Sequence, residues 1–345
     1  MSNLETDPRE SACGGLADVA AEPVEELLTG RDVVLGGPRA MRVTRTLPNR
    51  DVRMVGAWCF VDHYGPERAT MRVPPHPHTG LQTVSWLLEG EILHRDSLGS
   101  EQTITPGGLN LMTAGRGISH SEESAAGALL HGVQLWVALP SHVRGIAPAF
   151  EHHATLPRPV SPGVVTTVIM GELDGVASPA TVHTPLVGAE ITLEAGAGTR
   201  LPLRPGFEYA VLVLSGAVRV FGTRLSPGPL LYLGSGRSGL ELRSEGGGRL
   251  LLLGGEPFEE RIVMWWNFVG RSHEEIVGFR REWAEGEAFG TVSGAARAAG
   301  PGTGSGAGSE TGSETGSGAG PGTGMAPLPA PELPLTPLKA RGRRR

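Results

Sequence analysis

Between about residues 31 and 293 the chain is written in short apolar runs: LQTVSWLL, EILHRD, LNLMT, GVQLWVAL, VVTTVIM, YAVLVL, AVRVF, LLYLG and RLLLLGG follow one another, separated by Gly and Pro. Runs of this kind, rich in β-branched residues and bounded by turn formers, predict strands. Many short strands with little between them predict an all-β sandwich or barrel. One segment breaks the pattern. Ser272 and Glu275 form an S-x-x-E capping box, and Ile276, Phe279 and Trp283 then recur at helical spacing, which predicts a single late helix ending near Glu285.

The strand pattern repeats. LLEGEI around Gly90 matches VLSGAV around Gly216, an offset of 126, and PGGLNLM from Pro106 matches PGPLLYL from Pro227, an offset of 121. Two turn-and-strand units recurring in one order predict two β-barrels of common origin, joined near Pro140–Pro162. The ends read differently. Residues 1–30 carry seven acidic residues against Arg9, a composition that rarely packs, so a disordered acidic arm is expected there. From Gly294 to Gly324 there are twelve glycines among Ala, Ser, Thr and Pro, which predicts a flexible linker or tail. A Pro/Leu segment, APLPAPELPLTPL, and a basic end (Lys339, Arg341, Arg343, Arg344, Arg345) complete it. The expected organisation is therefore 1–30 arm, 31–145 first barrel, 146–293 second barrel and 294–345 disordered tail.

Composition adds exclusions. A net charge of -6 gives no general attraction to nucleic acid or to an acidic membrane, and the short basic end is read as a solvated terminus. Cys13 and Cys59 offer neither a disulfide framework nor a thiolate zinc site, which fits a reducing, cytoplasmic compartment. The acidic N-terminus MSNLETDPRE lacks the apolar core of a secretory signal, and no run is long enough for a membrane-spanning helix.

The chemistry is concentrated in two pairs. His76-Pro77-His78 and His120-Ser121-Glu122 each set two metal-type ligands one residue apart, which on a strand puts both on one face. Neighbouring strands so equipped aim three imidazoles and a carboxylate at one point. Ligands of this kind without thiolate suit Fe(II) first, with Mn, Ni, Cu and Zn behind it. At the repeat offsets the pairs fall on Pro202, Arg204, Glu241 and Arg243, so the second barrel is expected to hold no metal. Gln82 shares parity with His76 and His78 and is expected to face the ion unless a bulge after Gly80 resets the strand. Gln134 and Trp136 share a face and suit a planar aromatic ligand, although a buried amide and a core tryptophan would read the same way. His94 pairs with Asp96 or Arg95 structurally or else touches substrate. The remaining histidines, His63 and His131 among them, lack ligand spacing and are expected at the surface or behind the ligands.

The run PHPHTGLQTVSWLLEGEILHRDSLGSEQTITPGGLNLMTAGRGISHSE, with HGVQLWVALP and MWWNFVGRSHEEI after it, resembles the pirin family of the cupin superfamily over roughly residues 34–290. The general cupin pattern P-x-G-x-x-H is broken, since Leu111 stands at the histidine's place and the ligand comes instead at His120. The resemblance implies two consecutive cupin barrels of the double-stranded β-helix or jelly-roll type, with one Fe-like ion held in the first by His76, His78, His120 and Glu122.

It also implies two functions. Several pirins resemble quercetinases, metal-dependent dioxygenases that open the heterocycle of a flavonol with O2 and release carbon monoxide. In that case Glu122 would take the 3-hydroxyl proton, and Gln134 and Trp136 would orient the ring. Other pirins resemble regulators that bind a transcription factor or a metabolic enzyme, with iron as a redox switch. A third possibility is a barrel acting on another enediol or phenol. A monomer with no nucleic-acid partner is expected.

Overall fold

The computed structural model describes residues 11–14, 23–35, 41–286, 288–293 and 324–340. Two barrels stand side by side, each made of a large and a small antiparallel sheet. In the first, a seven-stranded sheet runs in the order Ala149–His153, Leu109–Thr113, Leu81–Glu89, Ala128–Ala138, Trp58–Ala69, Met41–Leu47 and Arg31–Leu35. Its four-stranded partner runs Arg72–His78, Ile118–Glu123, Ile92–Asp96 and Glu101–Ile104. The second barrel repeats the plan with Gly198–Pro202, Gly239–Arg243, Val218–Val220 and Thr223–Leu225 as its small sheet.

The absence of polar alternation in LQTVSWLL has a direct cause. Every residue from Leu81 to Leu88 is buried, because one face of this strand looks into its own barrel and the other packs on the second barrel. The seam is polar only where a donor needs a partner. Trp86 Nε1–H donates to Glu190 at 2.7 Å, Trp58 Nε1–H reaches the Val187 and Gly254 carbonyls at 3.1 Å, and the Gly56 amide donates to Glu208 at 2.6 Å. Glu190 is balanced by Arg249, and Glu208 accepts a second bond from the Tyr232 hydroxyl, so the two buried carboxylates are neutralised or hydrogen-bonded.

The second barrel is solid. Leu240, Leu242, Val218 and Val220 fill its interior in one apolar cluster. Glu241 and Arg243, expected at the ligand positions, point outward instead, so the barrel lacks a histidine site because leucine occupies the inward face.

Three expectations about the ends need correction. Within the arm, Pro23–Leu28 is a strand that pairs with Leu230–Gly234 of the second barrel, and Ser11–Gly14 pairs with Arg261–Trp265. An acidic segment is ordered here because backbone pairing and the buried Leu28 do not depend on its charges. The boundary at residue 145 falls one strand early, since Ala149–His153 pairs with Leu109–Thr113 in the first barrel. The tail is not wholly detached: residues 324–340 lie on the body, with Leu338 buried among aromatic side chains. The remaining parts of the expected arm, the glycine-rich stretch 294–323 and the basic end 341–345 lie outside the described residues.

The predicted helix is His273–Glu285, with Ser272 as its N-cap and Gly286 in the left-handed conformation as its C-cap. Glu275 reaches back to the Arg271 amide at 2.8 Å and binds Arg144 through both oxygens at 2.6 and 2.8 Å. The helix buries Ile276 and lays Phe279 and Trp283 on Trp265, Trp266 and Phe268.

Candidate metal centre

The register of the small sheet brings the two pairs together. His120 stands opposite His76, Ile118 opposite His78, and on the other side His120 faces Asp96 and Glu122 faces His94. One ring nitrogen from each of His76, His78 and His120 lies within 4.8 Å of the others, the one such group of three metal-type ligands among the described residues. All three rings are buried.

The hydrogen bonds around them fix which nitrogen carries the proton. A carbonyl only accepts, so His76 Nδ1 donates to Pro74 O at 2.8 Å and His78 Nδ1 donates to Asn267 O at 3.1 Å. Each therefore presents the lone pair of Nε2. For His120 the assignment runs through a relay. His94 Nε2 donates to the Asp96 carboxylate at 3.1 Å, and when it does so as the Nε2–H tautomer its Nδ1 accepts from His120 Nδ1, 3.3 Å away. His120 Nε2 is then a lone pair too, and it faces that of His78 at 3.1 Å. Ring nitrogens converging from three buried histidines are the form a histidine metal site takes.

Electrostatics agrees with this reading. Burial lowers His76 to about 4, against the smaller opposing effects of the Pro74 carbonyl and Glu122. Burial, followed by the neighbouring rings, holds His78 and His120 well below the ordinary value, so all three are neutral ligands at pH 7. Burial pushes the Asp96 carboxyl up, but hydrogen bonds from His94 and Ser100 outweigh it and leave the group below its usual range, a fixed anion at the end of the relay.

Glu122 is buried on the same face but does not meet the three nitrogens within 4.8 Å. A bulge between His120 and Glu122 sets Glu122 opposite Val73, further along the strand pair. One carboxylate oxygen lies 3.4 Å from the Ser85 hydroxyl, which is itself 2.9 Å from Gln134 Oε1, so Gln134 joins the site through Ser85. Burial and then Glu122 raise Tyr64 well above 10, keeping the phenol neutral. Trp136 stands edge-on to His78 at 5.2 Å and stacks on Phe60 at 4.0 Å with 12° between the planes. Its Nε1–H is buried without an acceptor.

Gln82 does not face the histidines. Its amide donates to Thr113 at 2.9 Å and Thr181 O at 3.2 Å, and it shares a face with Val84 and Trp86 on the seam between the barrels. The cause is Gly80, at φ +66°, where an added Cβ would sit 2.4 Å from Val269 O. The chain turns there, parity is reset, and Ser85 rather than Gln82 becomes the polar group that this strand offers the site.

Two groups had no signal in linear spacing. His94, stacked on Phe150 at 4.4 Å, orients a candidate ligand rather than standing apart. His63 and His131, expected as scattered residues, are buried with their Nε2 atoms 3.1 Å apart. Cross-strand register alone brings each pair together.

Comparison with known proteins fits this geometry. The Pirin family profile matches residues 40–137, and the profile of the Pirin C-terminal cupin domain matches residues 188–290. A Pseudomonas aeruginosa protein named "Putative quercetin 2,3-dioxygenase" is 47% identical over 272 residues, covering 77% of this chain and 86% of that one. The chain belongs to the pirin family. A pirin-like protein of Caulobacter vibrioides is 38% identical over 71% of this pirin and 88% of its own length. The crystal structure of a quercetin 2,3-dioxygenase from Acinetobacter baumannii superposes with a TM-score of 0.78 at 38% identity, over 91% of this chain and 98% of that one. Both barrels of this pirin are thus cupin domains. No helix among the described residues is long and apolar enough to cross a membrane.

Proposed function

We propose that this pirin is a metal-dependent dioxygenase of the quercetinase type, opening the ring of a flavonol or related phenolic with O2. The observation that carries the proposal is the convergence of three neutral imidazole lone pairs, from His76, His78 and His120, beside a buried carboxylate and an aromatic wall. Nitrogen and oxygen donors without thiolate suit Fe(II), with Mn, Ni, Cu or Zn as alternatives. When bound, such an ion supplies Lewis-acid charge and open coordination positions for a phenolate oxygen.

The chain's own groups do the rest. Glu122, set apart from the three nitrogens on the same face, is the base that accepts the phenolic proton. The Ser85 hydroxyl lies between that carboxylate and Gln134 Oε1, two acceptors within reach of its single hydrogen. Trp136, backed by Phe60, offers a flat face and a desolvated N–H, so a planar ligand with an oxygen at that point satisfies a donor the protein leaves without an acceptor. Burial of the cavity wall excludes water.

The test is oxygen uptake with quercetin by protein reconstituted with Fe(II) or another divalent metal. Turnover is expected in the parent, its loss in His78→Ala, and a fall in kcat of about 100-fold or more in Glu122→Gln. Undiminished turnover in His78→Ala would sink the mechanism.

A further inference from the structure

The Pro/Leu segment near the C-terminus lies outside the residues matched by the family profiles, yet it is seated on the body of the protein. Residues 326–338 contain five prolines and form neither helix nor strand, so their carbonyls are open. Donors from the helix take them: Trp283 Nε1–H binds Leu328 O at 2.7 Å, and Arg280 Nε–H binds Pro331 O at 2.6 Å. Leu338 is buried, and its amide donates to His273 Nδ1 at 3.1 Å. Aromatic rings and N–H donors on one face, meeting a proline-rich segment, are how preformed extended peptides are recognised.

Two contacts tie this seat to the metal centre. The Leu328 amide donates to Pro75 O at 2.8 Å. Pro75 lies between Pro74, whose carbonyl fixes the His76 ring, and His76 itself. The second tie runs through the aromatic cluster, which holds Leu338 together with Trp266 and Phe268 and against which Leu328 packs. Those two residues flank Asn267, whose carbonyl fixes the His78 ring. Trp266 is held at φ +53°, a conformation that a bulky residue keeps only under packing.

We infer that residues 326–338 are a proline-rich ligand carried in cis, which holds the two carbonyl anchors of His76 and His78 and so positions two of the three metal ligands. The inference rests on the reading that these histidines hold a metal. Neither barrel's core depends on the segment, because Leu338 belongs to the aromatic cluster and to neither barrel interior.

The experiment compares the full-length parent with Leu338→Asp, which puts a carboxylate into the apolar seat, and Leu328→Pro, which removes the one amide reaching Pro75. Co(II) titration, followed by its visible absorption bands, is expected to show a dissociation constant raised 10-fold or more in both variants, as when an orienting partner of a ligand is lost. The main thermal transition of the metal-free protein should stay within a few degrees of the parent. Adding a synthetic 324–340 peptide should restore Co(II) affinity in Leu338→Asp. In parallel, long-range 1H–15N spectra of the metal-free proteins should show Nδ1–H at His76 and His78 in the parent and faster-exchanging or redistributed signals in the variants. A parent that binds no Co(II) would remove the dioxygenase reading, and the ring spectra would then decide this inference alone. Affinities within twofold of the parent, or unchanged ring spectra, would overturn it.

Discussion

The relay from Asp96 through His94 to His120 makes a sharp demand on one atom. In Asp96→Asn, the side-chain oxygen can still accept the Leu98 and Ser100 amides, which it now does at 2.9 and 3.0 Å, so the turn after the strand should survive. The other terminus becomes an NH2 that faces His94 Nε2, where a carboxylate now accepts at 3.1 Å. His94 must then move its hydrogen to Nδ1, which lies 3.3 Å from His120 Nδ1, itself carrying a hydrogen. His120 is left to choose between two opposed donors and a tautomer whose Nε2 carries hydrogen and cannot ligate. Loss of an orienting partner of this kind costs about 10- to 100-fold in metal affinity, or roughly 1.4 to 2.7 kcal/mol. Isothermal titration of the metal-free protein with Co(II) measures it directly, with thermal unfolding as the control for the turn. If Asp96→Asn bound Co(II) within twofold of the parent, the tautomer assignment would be wrong.

Three further outcomes are expected. Burial, with His131 beside it, lowers His63 from 6.5 to about 4, so the unfolded chain binds a proton there that the folded chain refuses; stability is full above pH 6.5 and falls as pH drops toward 4, by about 3 kcal/mol at this residue. Denaturant titrations across that window should show the slope, and His63→Gln should reduce it by this residue's share, leaving the part due to His76, His78 and His120. Gly80→Ala should lower the unfolding free energy by about 2 kcal/mol or more, because a Cβ at φ +66° meets Val269 O at 2.4 Å; a thermal midpoint equal to the parent's would contradict the parity switch placed there. Trp86→Phe keeps the ring but removes the donor to Glu190, and chemical denaturation should register a loss of about 1.5–3 kcal/mol.

What the sequence made legible follows from period two. His76 with His78, and His120 with Glu122, share faces because each pair lies within one strand, and no tertiary knowledge is needed to see it. Gln82 failed the same rule because the rule does not survive Gly80, whose backbone turns the chain between the two strands. Of the relay, the sequence offered the His94–Asp96 pair but not its link to His120, which arises only through strand register. Composition misled at the ends for a different reason. It weighs a segment by the surface that segment can bury on its own, whereas Leu328 and Leu338 bury theirs against a helix formed earlier in the chain, and Pro23–Leu28 borrows a ladder from Leu230–Gly234.

The seat of the C-terminal segment also sets the order of its equilibrium. Because ligand and groove belong to one chain, docking is unimolecular, with an effective concentration on the order of millimolar, and dilution alone will not release the segment. Cutting the chain anywhere between residues 294 and 323 would change that, turning docking into a bimolecular event that fails at low concentration. A single proteolytic event, downstream in sequence of every histidine, would then lower the affinity of the centre for its metal.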